Sequence, residues 1–148
     1  MATSAATAAP SIVKIPRVLV VDAVVTASAV LYPALLTIPQ DADFEWWFLA
    51  LSRTSNLLKL LLTEAGTSRA LIFPGSQLAA GTQFLGVNVD NLAGTVQANG
   101  AFPIAVPYVM PASRTYTHQF SDTSGATNTV EVVYHGFALL AVPSAPGS

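Results

Sequence analysis

The chain has 148 residues, of which 52% are hydrophobic and 9% are charged, and its formal net charge is −2. A typical soluble domain has about 25% charged residues, and a monomer relies on surface charge to stay dispersed. The length predicts one domain, and the shortage of charge predicts that other protein covers much of its surface. A small secreted domain coated with Thr, Ser and Asn is the alternative.

Composition also excludes several kinds of site and partner. The chain has no cysteine, which excludes a disulfide framework, thiolate metal sites and cysteine nucleophiles. Its six Lys and Arg residues form no basic run, so no nucleic-acid partner is predicted. Residues 23–40 and 91–113 are uncharged, but prolines or Gly/Asn/Gln-rich sequence interrupt them. Neither stretch therefore predicts a membrane-spanning helix.

The N-terminal region predicts an arm or an edge strand. Residues 1–11 are rich in Ala, Thr and Ser, and residues 12–21 (IVKIPRVLVV) are rich in β-branched side chains around Pro16. Proline cannot donate a hydrogen bond in a central strand. We therefore expect an N-terminal arm or edge strand over residues 1–21 and a single β-sandwich domain over residues 22–148.

The next segment predicts short strands. Residues 23–38 favour two strands broken by Pro33, with a helix over residues 23–31 as the alternative. Residues 38–43 (IPQDAD) predict a turn before a strand over residues 44–52.

That strand, which contains FEWWFLAL, is apolar on both faces. Strict alternation places Phe44, Trp46, Phe48 and Ala50 on one face and Glu45, Trp47, Leu49 and Leu51 on the other. A strand with two apolar faces requires cover on both sides.

The middle of the chain is less regular. Residues 57–63 (LLKLLLT) predict a strand, with a leucine-rich helix as the rival, and residues 71–73 predict a shorter strand. Residues 76–102 contain four glycines and predict loops, with one or two short strands near FLGVNV and GTVQA.

The C-terminal part predicts a β-hairpin with Gly125 near the centre of its turn. Apolar residues alternate on both sides of the turn. Symmetric pairing about Gly125 would join Phe120 to Val130, His118 to Val132 and Tyr116 to Tyr134.

Together these patterns predict an all-β fold, a β-sandwich or jelly roll of about eight short antiparallel strands with an extended N-terminal arm.

The residues that could carry chemistry are few. His118 and His135 are predicted on opposite faces, which argues against a shared metal site. The acidic residues Asp41, Asp43 and Glu45 predict a solubilising turn rather than a catalytic carboxylate pair. No G-x-S-x-G elbow or phosphate-binding loop occurs in the sequence. We therefore predict a protein that is not an enzyme and binds no cofactor or metal.

Four motifs between residues 35 and 140 carry a resemblance. They are IPQDADFEWWFLAL, LLKLLLTEAGTSR, FPIAVPYVMPASRTY and NTVEVVYHGFALL. In this order they resemble small virion structural proteins of tailed bacteriophages. The resemblance implies a jelly-roll-like sandwich that serves as a head, decoration, collar or tail component.

The expected function is that of a non-enzymatic virion protein. It would form a homo-oligomer, most simply a trimer, and bind major capsid or neck proteins in the particle, with no nucleic-acid or membrane partner. The predicted contact residues are apolar side chains of the arm and of the FEWWFLAL strand: Ile12, Val13, Ile15, Val18, Val20, Trp47 and Leu49.

A carbohydrate-binding or receptor-binding module is the alternative, because tryptophan faces stack on sugar rings. It would place Trp46 or Trp47, together with Tyr108, at an exposed site.

Overall fold

The computed structural model describes residues 9–27, 32–55, 57–67, 70–72, 87–88 and 101–143. Residues 1–8 of the predicted arm and the GTVQA segment lie outside these ranges. Among the described residues, no helix has the length and apolarity needed to cross a membrane.

Nine β-strands are described. They are β1 (Ser11–Val25), β2 (Tyr32–Thr37), β3 (Asp43–Arg53), β4 (Leu58–Glu64), β5 (Ala70–Ile72), β6 (Val87–Asn88), β7 (Ala101–Met110), β8 (Thr115–Asp122) and β9 (Asn128–Val142).

The strands form two antiparallel sheets. Sheet 1 has the order β1-β9-β3-β7, and sheet 2 has the order β2-β8-β4-β5, with β6 also pairing with β4. The predicted all-β sandwich is confirmed. Where a helix was the alternative, over residues 57–63 and over the start of residues 23–31, the described backbone is β4 and the end of β1.

Strands that are distant in sequence pair with each other. Strand β1 pairs with β9, β2 with β8, β3 with β7, and β4 with β6. The chain thus folds back on itself as one long hairpin whose successive pairs alternate between the sheets. Nearly every ladder therefore closes a long loop, which makes folding slow relative to folds with local contacts.

The core lies between the two sheets and contains a group of ring contacts. Trp46 from sheet 1 and Tyr134 form a T-shaped ring contact, with centroids 5.0 Å apart. Tyr134 in turn meets His118 of sheet 2, with centroids 5.6 Å apart. The Tyr134 hydroxyl lies 2.5 Å from His118 Nε2, so this polar pair joins the two sheets inside an otherwise apolar core.

The prolines within the described strands all lie on edge strands. Pro16 is in β1, Pro33 is in β2, and Pro103 and Pro107 are in β7. These three strands are sheet edges, where a missing N–H does not interrupt a ladder. The sequence did not predict strand β7, because its two prolines and the preceding glycines are typical of a loop.

The predicted C-terminal hairpin is wrong. Strand β8 pairs with β2 and β4 in sheet 2, whereas β9 pairs with β1 and β3 in sheet 1. The turn at Gly125, which has a positive φ of 75°, connects one sheet to the other. Alternation still placed the right side chains inside, since all six residues of the predicted pairs are buried.

Candidate functional site

The outward sides of β8 in sheet 2 and of β1 in sheet 1 differ in chemistry. On sheet 2, the outward positions of β8 are Thr115, Thr117 and Gln119, which alternate with buried side chains. On sheet 1, Val21, Ala23 and Val25 are buried, so the alternate positions of β1 point outward. Those positions are mainly apolar.

We call the outward side of sheet 1 the outer face. Its exposed apolar side chains, each between 41% and 63% accessible, are Ile12, Val18, Val20, Val24, Phe48 and Val109. Half-buried apolar side chains of β9 lie between them, among them Val133, Phe137 and Leu139. A monomer rarely leaves a contiguous apolar surface of this kind uncovered, which makes the outer face the candidate interaction surface.

The structure brings four of the predicted contact residues together on the outer face. Ile12, Val18 and Val20 come from β1, and Trp47 comes from β3. Val13 and Ile15 lie at the alternate positions of β1, on the other side of the strand, but are also exposed, at 44% each.

The prediction that Leu49 is a contact residue is wrong. Its side chain is only 2% accessible and belongs to the core, so it cannot be a surface contact. The cause is a register shift in β3 between Trp46 and Phe48. A bulge inserts one residue and reverses the alternation beyond it, so Leu49 turns inward and Phe48 turns outward.

The bulge also requires a glycine on the neighbouring strand. Gly136 of β9 pairs with Trp46 just before the shift. A Cβ at this position would lie 1.9 Å from the main-chain oxygen of Glu45. The close approach of β3 and β9 therefore depends on the missing side chain of Gly136.

One end of the outer face carries a charged pair. Lys14 Nζ donates a hydrogen bond of 2.7 Å to Glu45 Oε2 and lies 5.8 Å from the centre of the Trp47 ring. The hydrogen bond from Lys14 lowers the pKa of Glu45. Phe137 and Trp47 form a T-shaped ring contact, with centroids 6.2 Å apart.

The other end of the outer face is acidic. Asp22 of β1 lies directly opposite Glu131 of β9, and Ser52 of β3 continues the same row. These residues also line a cavity of about 540 Å³ that reaches the buried Ala23 and Val130 and Tyr32 of β2. Like charges at directly opposite positions destabilise a sheet, so this row is a site where a cation from outside would be favourable.

The two histidines do not form a common site. His118 is fully buried in the core, and His135 is half-buried on the outward side of β9. Burial lowers the pKa of His118 to about 4. Within the described part of the chain, no three His, Asp or Glu side chains are grouped to hold a metal ion.

A polar network holds the connection between the sheets. Asp122 accepts hydrogen bonds from Asn128 Nδ2, from Ser124 Oγ at 2.8 Å and from Ser55 Oγ at 3.3 Å. Burial by itself raises the pKa of Asp122, but these hydrogen bonds outweigh it, and the net shift is downward. Thr54 Oγ1 extends the network to Asn128 Oδ1 at 3.0 Å. The network is satisfied internally, which is typical of a structural role.

The aromatic residues of the carbohydrate alternative are dispersed. Trp46 is 4% accessible and lies in the core. Tyr108 packs against the core, and Lys14 approaches the face of Trp47. Trp47 is thus the one member of the proposed set that lies on the outer face.

Comparisons with protein-family models, with curated proteins and with solved structures find no match for this chain.

Proposed function

We propose that this chain is a non-enzymatic structural protein of a bacteriophage particle, a homo-oligomeric capsid decoration (cement) or head-associated component. The observation that carries the proposal is the apolar outer face of sheet 1, built from exposed side chains of β1, β3 and β7 and half-buried ones of β9. Such a face suits a protein that is fixed to other subunits on that side.

The strand order supports a jelly roll. In a jelly roll a long hairpin is wound into two facing sheets, and the pairs β1–β9, β2–β8, β3–β7 and β4–β6 follow that scheme. Jelly rolls are used in viral capsid domains, as well as in lectins and cupins. This support is an analogy of fold, so the function depends on the surface.

The size of the outer face supports a stable interface. Strand β3 has 11 residues, and with about 3.3 Å per residue and 4.8 Å between strands the four-stranded face covers on the order of 700 Å². A standard interface buries about 800 Å² on each partner. Burial of apolar surface contributes about 25 cal/mol per Å² before the costs of association.

Light scattering after size-exclusion chromatography tests self-association. We expect the wild-type protein to elute as an oligomer and the variant Val18→Lys/Val20→Lys to dissociate, because buried unpaired ammonium groups are costly. Leu35→Lys is the matched control, since Leu35 is 65% accessible on β2 of sheet 2. A wild-type monomer at micromolar concentration, or equal dissociation of the control, contradicts the role of the outer face.

The location of the protein is tested separately. Mass spectrometry of purified phage particles should detect the chain at a fixed ratio to the major capsid protein. Its absence from particles, in a host that produces it during infection, would exclude the virion role.

A further inference from the structure

The outward residues of β1 have a symmetric order. From one end to the other they are Ile12, Lys14, Pro16, Val18, Val20, Asp22 and Val24. Read outward from Val18 in both directions, apolar residues match apolar residues, and Lys14 matches Asp22. A second copy running the opposite way would therefore be complementary at every one of these positions.

We propose that two copies dock outer face to outer face about a two-fold axis that crosses the strands along the row Val18–His135–Phe48. Val18 pairs with His135, and His135 pairs with Phe48, so these residues form one row across three strands. The inference rests on the proposed self-association and specifies its symmetry and register. It favours a two-fold contact over the trimer predicted from the sequence.

The charged groups select this register. The axis reverses the order of the rows, so Lys14 of one copy faces Asp22 of the partner subunit, twice per dimer. The Lys14 ammonium has three donors and uses one for Glu45 in its own chain. In the same row, Leu139 faces Glu131 of the partner subunit and Asp43 faces the partner's Ser52, so Lys14 is the charged group that meets Asp22.

Two other arrangements are disfavoured. A two-fold axis parallel to the strands would place each Asp22–Glu131 row against the same row of the partner subunit, where like charges repel. Pairing through the edge of β1 would place Pro16 in the new ladder, where it has no N–H to donate. Face-to-face packing with reversed rows avoids both problems and matches the usual packing of aligned sheets.

Charge exchange tests the register in the full chain. Lys14→Glu alone places two carboxylates opposite each other, and Asp22→Lys alone places two ammonium groups opposite each other. We expect each variant to raise the dimer dissociation constant at least about tenfold. An equimolar mixture of the two variants should form a heterodimer about as tight as wild type, because both of its contacts are again complementary.

Lys59→Glu, on β4 of sheet 2, is the control and should leave the dimer unchanged. If mixing restores dimer formation, the weak dimers of the single variants cannot be due to misfolding, because mixing does not change the fold of either variant. If wild type is an oligomer and mixing restores nothing, the register is wrong while the proposed function stands. A monomeric wild type overturns both proposals, and a trimer overturns the two-fold axis.

Crosslinking separates the face contact from an edge contact. The natural chain has no cysteine, so Phe48→Cys provides a single thiol on the axis and on the third strand of sheet 1. A short bis-maleimide should crosslink this variant to a dimer. Val24→Cys is exposed on the same face but far from the axis, and should not crosslink to itself. Crosslinking of Val24→Cys, or none at Phe48→Cys, overturns the register.

Discussion

At the scale of single residues, Gly136 limits the approach of two central strands. A Cβ at Gly136 would overlap the main-chain oxygen of Glu45 at 1.9 Å, and a main-chain atom cannot move aside as a flexible side chain can. We expect Gly136→Ala to lower the free energy of unfolding by about 3 kcal/mol, from overpacking.

Gly125→Ala separates this steric effect from a conformational one. Gly125 has a positive φ, but a Cβ added there would meet no other atom within 4 Å, so its substitution should cost about 1 kcal/mol. Urea denaturation of both variants measures the difference, and equal losses would contradict the steric argument.

His118 makes stability depend on pH. Burial lowers its folded-state pKa from 6.5 to about 4, so the unfolded chain binds the proton more tightly. The contribution of neutral His118 is complete above pH 6.5 and is lost as the pH falls toward 4, with a total of about 3 kcal/mol.

Denaturation curves between pH 7 and pH 5 measure the effect, because most carboxylates titrate below this range. We expect His118→Gln to remove most of the slope. A wild-type free energy that does not change over this interval would disprove the assignment.

Asp122 and Asp22 are expected to differ in their effect on stability. Removal of Asp122 leaves Asn128, Ser124 and Ser55 without their shared acceptor, so Asp122→Ala should cost about 3 kcal/mol. Asp22→Ala removes one of two opposed like charges and should be neutral or slightly stabilising in the monomer. Thermal unfolding at neutral pH compares them, and a larger loss for Asp22→Ala would be contrary to expectation.

At the scale of elements, the alternation of apolar residues predicted which side chains are buried, but it did not predict which strands pair. The alternating pattern placed Tyr116, His118, Phe120 and their counterparts inside, because the period of side chains along a strand is a local property. The choice of partner strand is not local. A hairpin about Gly125 and a crossing between sheets have the same alternation, so the sequence near the turn could not separate them.

The outer face was partly predictable for the same reason. The outward residues of β1 follow from simple alternation, whereas the position of Leu49 depends on a bulge. That bulge is coupled to Gly136, which pairs with Trp46 from a distant part of the sequence. The segment FEWWFLAL alone predicts a strand with two apolar faces. It does not show the position of the bulge beyond which inward and outward residues exchange.

At the scale of the whole molecule, sheet 1 depends on strand β9. Strand β9 lies between β1 and β3 and pairs with both along most of its length. We expect a chain ending at residue 127 to lack a folded sandwich, because β1 would have no neighbour in sheet 1. Near-ultraviolet circular dichroism of this fragment, compared with the full chain, checks the expectation. A native-like spectrum would show that sheet 2 suffices.

The central place of β9 has a consequence during synthesis. While the ribosome is still translating residues 128–142, β1 and β3 have already emerged with their apolar side chains uncovered, and they cannot join until β9 follows. The nascent chain therefore depends on chaperones or on its own solubility for that interval. Any product truncated before β9 leaves these surfaces open to proteases, which would remove incomplete copies.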